Sequence, residues 1–358
     1  MRELKPLKML ENRVWRVYIG GKLLDELRGT SGEDSYFPED WLASVVIANN
    51  PERENKPERE GLSAVKLENG RTAYLKDLID KNPEGFLGKK HINMLGVNFG
   101  VLTKFLDSAE RLPIQVHPDK STAMRLFNSQ YGKTEAWCIL NGREINGEKP
   151  HIFLGFKEDV TPERLRDLFD KQDTKGMESI MHKIPVKPGE VYLIEGGTPH
   201  AIGPGCFILE IQEPTDYTIS LERFDLRGNE VPEILCHQGL GFDKMFECFN
   251  YKKTTEKELL AAYKLEPKDV DENTSQLISY ERTSCFALNR LRITGSTTYK
   301  CINRAYALAV VKGIGRVGDI DVRSGDCLFV PAQAKDYQIQ NLSGDELVLL
   351  QCLPPYIE

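Results

Sequence analysis

The sequence predicts a mainly β chain of two jelly-roll barrels, with helices inserted in the first half. Three observations carry this. The chain has 358 residues, more than one hydrophobic core comfortably serves, which makes two domains the starting expectation. Short apolar runs, such as Val-Tyr-Leu-Ile at 191–194, alternate with Gly- and Pro-containing turns. An internal repeat joins the two halves: Lys187-Pro-Gly-Glu-Val-Tyr-Leu-Ile is echoed by Arg323-Ser-Gly-Asp-Cys-Leu-Phe-Val. Likewise Ile139-Leu140-Asn141-Gly142 is echoed by Val310-Val311-Lys312-Gly313.

In order along the chain, 14–20 (VWRVYIG) reads as a strand broken at Gly20-Gly21, and the polar stretch 49–62 as a loop. Lys76–Asn82 has the pattern of a short helix stopping before Pro83. Asn98–Phe105 and Ile114–His117 read as strands. Ser121–Asn128 reads as a helix with Met124, Leu126 and Phe127 on or near one face, covering a sheet end. Within 158–182, Thr161-Pro162 is a capping hydroxyl followed by proline at the first helical position. Leu165, Leu168 and Phe169 then recur at helical spacing. Strands resume over Lys187–Asp225, and Pro232–Phe249 is helical in pattern. The polar run Asn250–Lys257 marks a boundary between an N-terminal domain, 1–249, and a C-terminal one, 250–358. A short helix follows at Glu256–Ala262.

Composition narrows the function classes. Hydrophobic content of 40% and charged content of 28% are ordinary for a globular protein. A formal charge of −7 argues against a nucleic-acid partner, which would want a basic face. The N-terminus has no apolar core of signal-peptide length, and no run approaches the roughly 18 apolar residues of a membrane span. Eight Cys without a C-x-x-C pair suggest buried thiols in a reducing, cytoplasmic setting. Nothing in the composition speaks to oligomeric state.

The chemistry concentrates in Arg111–Leu140 and Gly189–Gly205. Residues two apart on a strand share a face, so Gln115 and His117 reach into one pocket. Glu135 stands at the mouth of the apolar run Ala136–Leu140, and His200 follows a Gly-rich turn. Two His, one Glu and one Gln amide on short strands form a ligand set for a divalent metal such as zinc. His91, His151, His182 and His237 lack a neighbouring ligand and read as structural or exposed.

The motifs QVHP at 115–118, GKTEAW at 132–137, GTPHAIG at 197–203 and LEIQEPTDYT at 209–218 resemble the type I mannose-6-phosphate isomerase family in its bacterial cupin form. The likeness covers roughly the first 250 residues. It implies two cupin barrels and one Zn²⁺ per chain held by Gln115, His117, Glu135 and His200. It also implies interconversion of mannose 6-phosphate and fructose 6-phosphate through a cis-enediol(ate), with a small sugar phosphate as partner and neither nucleic acid nor membrane. Lys133 shares a face with Glu135, and in the family the lysine of GKTE belongs to the active site. Glu210 and Asp216 match acidic positions of the family's pocket, without a division of roles between them.

One position departs from the family. Its catalytic Arg, four residues after the Asp, is replaced by Ser220. Arg223 stands three residues on, which on a strand changes face unless a bulge intervenes. A weakly active or non-catalytic sugar-phosphate binder is therefore the alternative. A cupin oxygenase is disfavoured by Gln115 as fourth ligand and by Lys133 in the pocket. With the repeat aligned on Gly189 and Gly325, Tyr306 falls opposite Glu135 and Asp336 opposite His200. The C-terminal copy is accordingly expected to bind no metal.

Overall fold

The computed structural model describes residues 4–50, 53, 55–67 and 69–357. Pro51, Glu52 and Glu54 of the expected loop at 49–62 thus lie outside the described residues. Among the described residues the strands form two pairs of antiparallel sheets and a separate two-stranded one, Ala64–Lys66 with Thr72–Tyr74. In the first half, one sheet runs in the order Lys264–Leu265, Val191–Ile194, Glu135–Gly142, Cys206–Gln212, Leu102–Asp107, Glu39–Leu42, Arg13–Val14. It is paired with a sheet ordered Met181–Pro185, His151–Phe156, His200–Ile202, Gln115–Val116, Ile219–Ser220. The second half repeats the plan. A sheet centred on Tyr306–Lys312 and Leu347–Leu353 is paired with one of four strands.

Strand alternation explains the layering. On Glu135–Gly142, Trp137 and Ile139 join Leu106, Ile152, Leu154 and Ile208 in the interior of the first barrel. Ala136 and Cys138, one residue out of phase, join Phe105 and Leu209 in a core that also contains Phe286, Leu288, Phe329 and Leu350 of the second barrel. The central strands are therefore buried on both faces. This is why they read as unbroken apolar runs and not as alternating ones. The barrels also exchange edge strands: Leu7–Lys8 pairs with Cys327–Val330, and Lys264–Leu265 pairs with Val191–Ile194.

The repeat is visible in the pairing. Glu135–Gly142 lies between Val191–Ile194 and Cys206–Gln212, as Tyr306–Lys312 lies between Cys327–Val330 and Leu347–Leu353. Gly189 and Gly325 have φ of 92° and 88°, the left-handed turn that precedes each equivalent strand. Inside the second barrel the Tyr306 and Tyr337 hydroxyls are 2.7 Å apart, and Tyr299 stacks beside them. Asp336 faces outward to Lys300 instead.

Helices form at Leu75–Lys81, Lys120–Phe127, Pro162–Asp170, Thr174–Ser179 and Glu256–Tyr263, close to the expected places. Thr161 caps its helix by accepting the Arg164 N–H at 3.2 Å. Three expectations need correction. The strand over 14–20 stops at Val14, because the chain then turns inward and carries Arg16 and Tyr18 into the first barrel. The strand expected from Asn98 begins at Leu102. Asn98 instead makes a turn, accepting the Gly100 N–H on its side chain. Met124 is exposed on its helix, and Thr122 and Ala123 take the buried face.

Candidate functional site

The site sits at one end of the first barrel, where four strands and a turn converge. Gln115 lies opposite both His200 and Ser220 across its neighbouring strands, and Gln212 lies opposite Glu135. The turn Gly196–Gly197 presses on the loop after His117. A Cβ on Gly196 would come within 2.6 Å of the Asp119 Cα, so only glycine fits there. The Gly197 N–H donates to the His117 carbonyl at 2.7 Å, tying the loop of one ligand to that of the next.

Three side chains form a buried cluster. The ligand atoms of His117, Glu135 and His200 lie within 4.8 Å of one another, and each residue is at most 2% exposed. Each imidazole has its Nδ1 against a backbone carbonyl, Tyr217 O at 2.8 Å for His117 and Thr198 O at 2.9 Å for His200. A carbonyl only accepts, so Nδ1 carries the proton and the Nε2 lone pair faces the cluster. Burial and the nearby Lys133 ammonium push the His117 pKa down to about 3, against the pull of Glu135. Burial lowers that of His200 as well, so both rings are neutral. Burial alone would raise the Glu135 pKa, but the Lys133 ammonium holds it well below the usual carboxylate range. Its Oε2 is buried with no aligned hydrogen-bond donor. The Gln115 amide ends 3.2 Å from the His200 Nε2 and 3.5 Å from the His117 Nε2. Two imidazole lone pairs, an ionised carboxylate with a free oxygen and an amide are a donor set that fits a divalent cation such as zinc.

Beside the cluster opens a cleft with about 810 Å³ of empty space. Gln115, Lys133, Glu210, Asp216 and Ser220 all line it. Lys133 Nζ is 2.8 Å from the His117 Nε2 and 3.3 Å from the Glu135 Oε2. Glu210 is buried and carries its charge poorly. Desolvation and the Glu135 carboxylate push its pKa up to about 8, against the pull of Lys104 and Lys133. Asp216 is the opposite case, anchored by the Arg16 Nη2 at 3.2 and 3.3 Å and by the Asn49 N–H at 2.9 Å.

Ser220 lines the cleft, but its hydroxyl is occupied by the backbone of Glu222, O at 3.2 Å and N at 3.1 Å. Arg223 is not brought in. It lies over the Phe242 ring with Glu233 at 3.7 Å, and no bulge returns it to the cleft. Likewise the remaining histidines bond elsewhere: His91 to Asn98 O, His151 to Lys149 O and His182 to Thr254 O, while His237 packs edge-on against Phe242.

Residues 53–134 match the family described as phosphomannose isomerase type I, catalytic domain. The mannose-6-phosphate isomerase of Streptococcus mutans is 29% identical over 244 residues, 67% of this chain and 71% of its own length. The mannose-6-phosphate isomerase ManA of Bacillus subtilis is 26% identical over 249 residues, 68% and 73% respectively. The chain is similar to these mannose-6-phosphate isomerases over about two thirds of its length. The fold agrees over nearly its whole length. The crystal structure of the Bacillus subtilis mannose 6-phosphate isomerase superposes with a TM-score of 0.74 at 22% identity, covering 98% of this chain and 99% of that one. A variant of phosphomannose isomerase from Salmonella typhimurium gives 0.72 at 16% identity, covering 99% and 100%.

Around these isomerase-like motifs lie cleft residues that the motifs do not include: Arg16, Tyr18, Glu39 and Lys104. Glu39 accepts from the Trp41 indole N–H at 2.6 Å and from the Tyr18 hydroxyl. Burial would raise its pKa, but Arg16 and Lys104 hold it down at about 2. A signal for three of them existed in the sequence. Arg16 and Tyr18 stand two apart in an otherwise apolar segment, and Lys104 is the one basic residue inside a buried strand.

Proposed function

We propose that this protein is a metal-dependent aldose–ketose isomerase that interconverts mannose 6-phosphate and fructose 6-phosphate through a cis-enediol(ate). The observation that carries the reading is the juxtaposition of the buried His117–Glu135–His200 cluster with a cleft lined by Lys133 and Glu210. Gln115, His117, Glu135 and His200 would hold one divalent ion, zinc by the character of the donors. When bound, it supplies a Lewis acid that favours negative charge on the sugar's C1 and C2 oxygens.

The chain's own groups would do the rest. Glu210, poised near neutrality, can take and return the proton that moves between C1 and C2. The Lys133 ammonium lies next to the same wall and would orient a hydroxyl or share its proton. Asp216, fixed by two donors, is suited to holding a sugar hydroxyl and not to shuttling a proton. The N-terminal barrel would carry the site, and the C-terminal barrel, filled by tyrosines, would serve as a packing partner without metal. The setting would be cytoplasmic; among the described residues no helix is long and apolar enough to cross a membrane.

Metal analysis of the purified protein, coupled to a mannose 6-phosphate isomerisation assay, tests the reading. Turnover that requires the metal supports it. Metal and sugar-phosphate binding without turnover would favour a non-catalytic binder, the reading suggested by the absence of an arginine at Ser220.

A further inference from the structure

Arg16 is the one guanidinium that lines the cleft among the described residues. We propose that Arg16 binds the substrate's phosphate, a role filled from the N-terminal segment and not from the strand that carries Ser220. The inference rests on the sugar-phosphate isomerase reading above.

Three cations line the cleft, all of them paired with carboxylates, and the two lysines are the more deeply buried. Lys133 Nζ contacts His117 and Glu135 in the buried cluster. Lys104 Nζ is pinned between Glu210 at 3.2 Å and Glu39 at 3.5 Å and is almost wholly buried. Arg16 differs. Its Nε lies 3.1 Å from the Glu39 Oε2, its Nη1 donates to Asn50 Oδ1 at 3.2 Å, and its Nη2 meets the Asp216 carboxylate. A guanidinium has five N–H donors, and Nη2 reaches both Asp216 oxygens, so one N–H on Nη1 is left for a ligand. Its plane is held over the Trp41 ring, 5.0 Å from carbon to centroid, and the side chain is 12% exposed. It is a fixed, partly desolvated, planar donor, the geometry that suits a phosphate.

Its place in the barrel selects the phosphate over the reacting carbons. Trp137, Glu210, Lys104 and Trp41 are successive cross-strand neighbours on one sheet. Trp137 stands at the metal-cluster end, its indole N–H donating to the Glu135 Oε1 at 3.1 Å. Arg16 lies over Trp41 at the other end. Three strand spacings separate the ends, about 14 Å. A sugar with its C1 and C2 oxygens at the cluster would extend its far, phosphorylated carbon towards Arg16.

Inorganic phosphate is the probe for the test, with thermal unfolding of the full-length protein as the readout. Phosphate should stabilise the parent in a saturable way. Arg16→Lys keeps the charge but not the fork, and Arg16→Met removes both. The half-saturating phosphate concentration should rise about tenfold in the first and up to about a hundredfold in the second, as for loss of hydrogen bonds to a charged group. With mannose 6-phosphate, KM of Arg16→Lys should rise in parallel while kcat stays near the parent's. Equal phosphate affinity in parent and variants, or a fall in kcat with KM held, overturns the assignment. If Arg16→Met does not fold, the Arg16→Lys titration decides. If the parent fails to isomerise mannose 6-phosphate, the isomerase reading falls alone, and the phosphate titration still judges Arg16.

Discussion

His117 and His200 are set by the same local device, a backbone carbonyl that accepts from Nδ1–H and turns Nε2 towards the cluster. Removing one of them takes away a ligand and leaves its partners intact. His200→Ala should therefore weaken metal binding by more than the roughly 10–100-fold typical of losing an outer partner. Metal content after dialysis measures it, and a variant as fully loaded as the parent would remove His200 from the site. Lys133 is different in kind, since a protonated ammonium has no lone pair to give a metal. Lys133→Ala should keep its metal and lose isomerase turnover by about 10² or more, the scale of a positioned proton-transfer group. Loss of metal in that variant would show Lys133 to be structural. Unchanged kcat would place it outside the chemistry.

At the scale of the element, the strands that carry the site are anchored by their opposite faces. On Cys206–Gln212, Glu210 points to the cleft, while Phe207, Leu209 and Ile211 enter the core shared with the second barrel. Leu209 is fully buried, and Leu209→Ala deletes side-chain volume that no neighbour can fill. It should cost about 2–5 kcal/mol of stability. The measurement is denaturant unfolding, and a loss below 1 kcal/mol would mean the layer can collapse around the gap. The same two-sided burial explains the legibility of these strands. Apolar runs such as Val191–Ile194 announce themselves, but 14–20 looked like one more strand, since its alternation did not disclose that Arg16 and Tyr18 turn inward.

Across the whole molecule, a charge network holds the first barrel and a shared core joins the halves. Glu39 comes from the strand Glu39–Leu42, Lys104 from its neighbour Leu102–Asp107 and Arg16 from the N-terminal segment, and together they form a buried charge network. Glu39 has a folded pKa of about 2 against an ordinary 4.5, so ionising it favours the folded state. That contribution is complete above about pH 4.5 and is lost as the pH falls through about 2. Glu39→Gln should therefore be less stable than the parent at pH 7, by about 3–5 kcal/mol for a broken buried pair. The gap should narrow between pH 4.5 and 2, and a gap independent of pH would contradict the network. Residues 1–249 expressed alone should expose Leu209, Phe105 and Ala136, which lie against Phe286 and Phe329. That fragment should aggregate or bind a hydrophobic dye. A monomeric, cooperatively folding fragment would show that the shared core is dispensable.

The sequence alone determined the barrel pair, the repeat register and the residues His117, Glu135 and His200 that the fold brings together as a candidate metal cluster, with Gln115 beside them. Each rests on local chemistry: strand period, a left-handed glycine turn, or a ligand within a short motif. Glu210 and Asp216 were legible as acids but not in their difference. That difference comes from burial beside Glu135 in one case and from Arg16 and Asn49 in the other. Only the tertiary structure assembled the far end of the cleft. Arg16, Glu39, Trp41 and Lys104 are neighbours across strands, and sheet order is fixed by how the barrel closes over its core. It also excluded Arg223, because the chain after Ser220 leaves the sheet and turns that side chain onto Phe242.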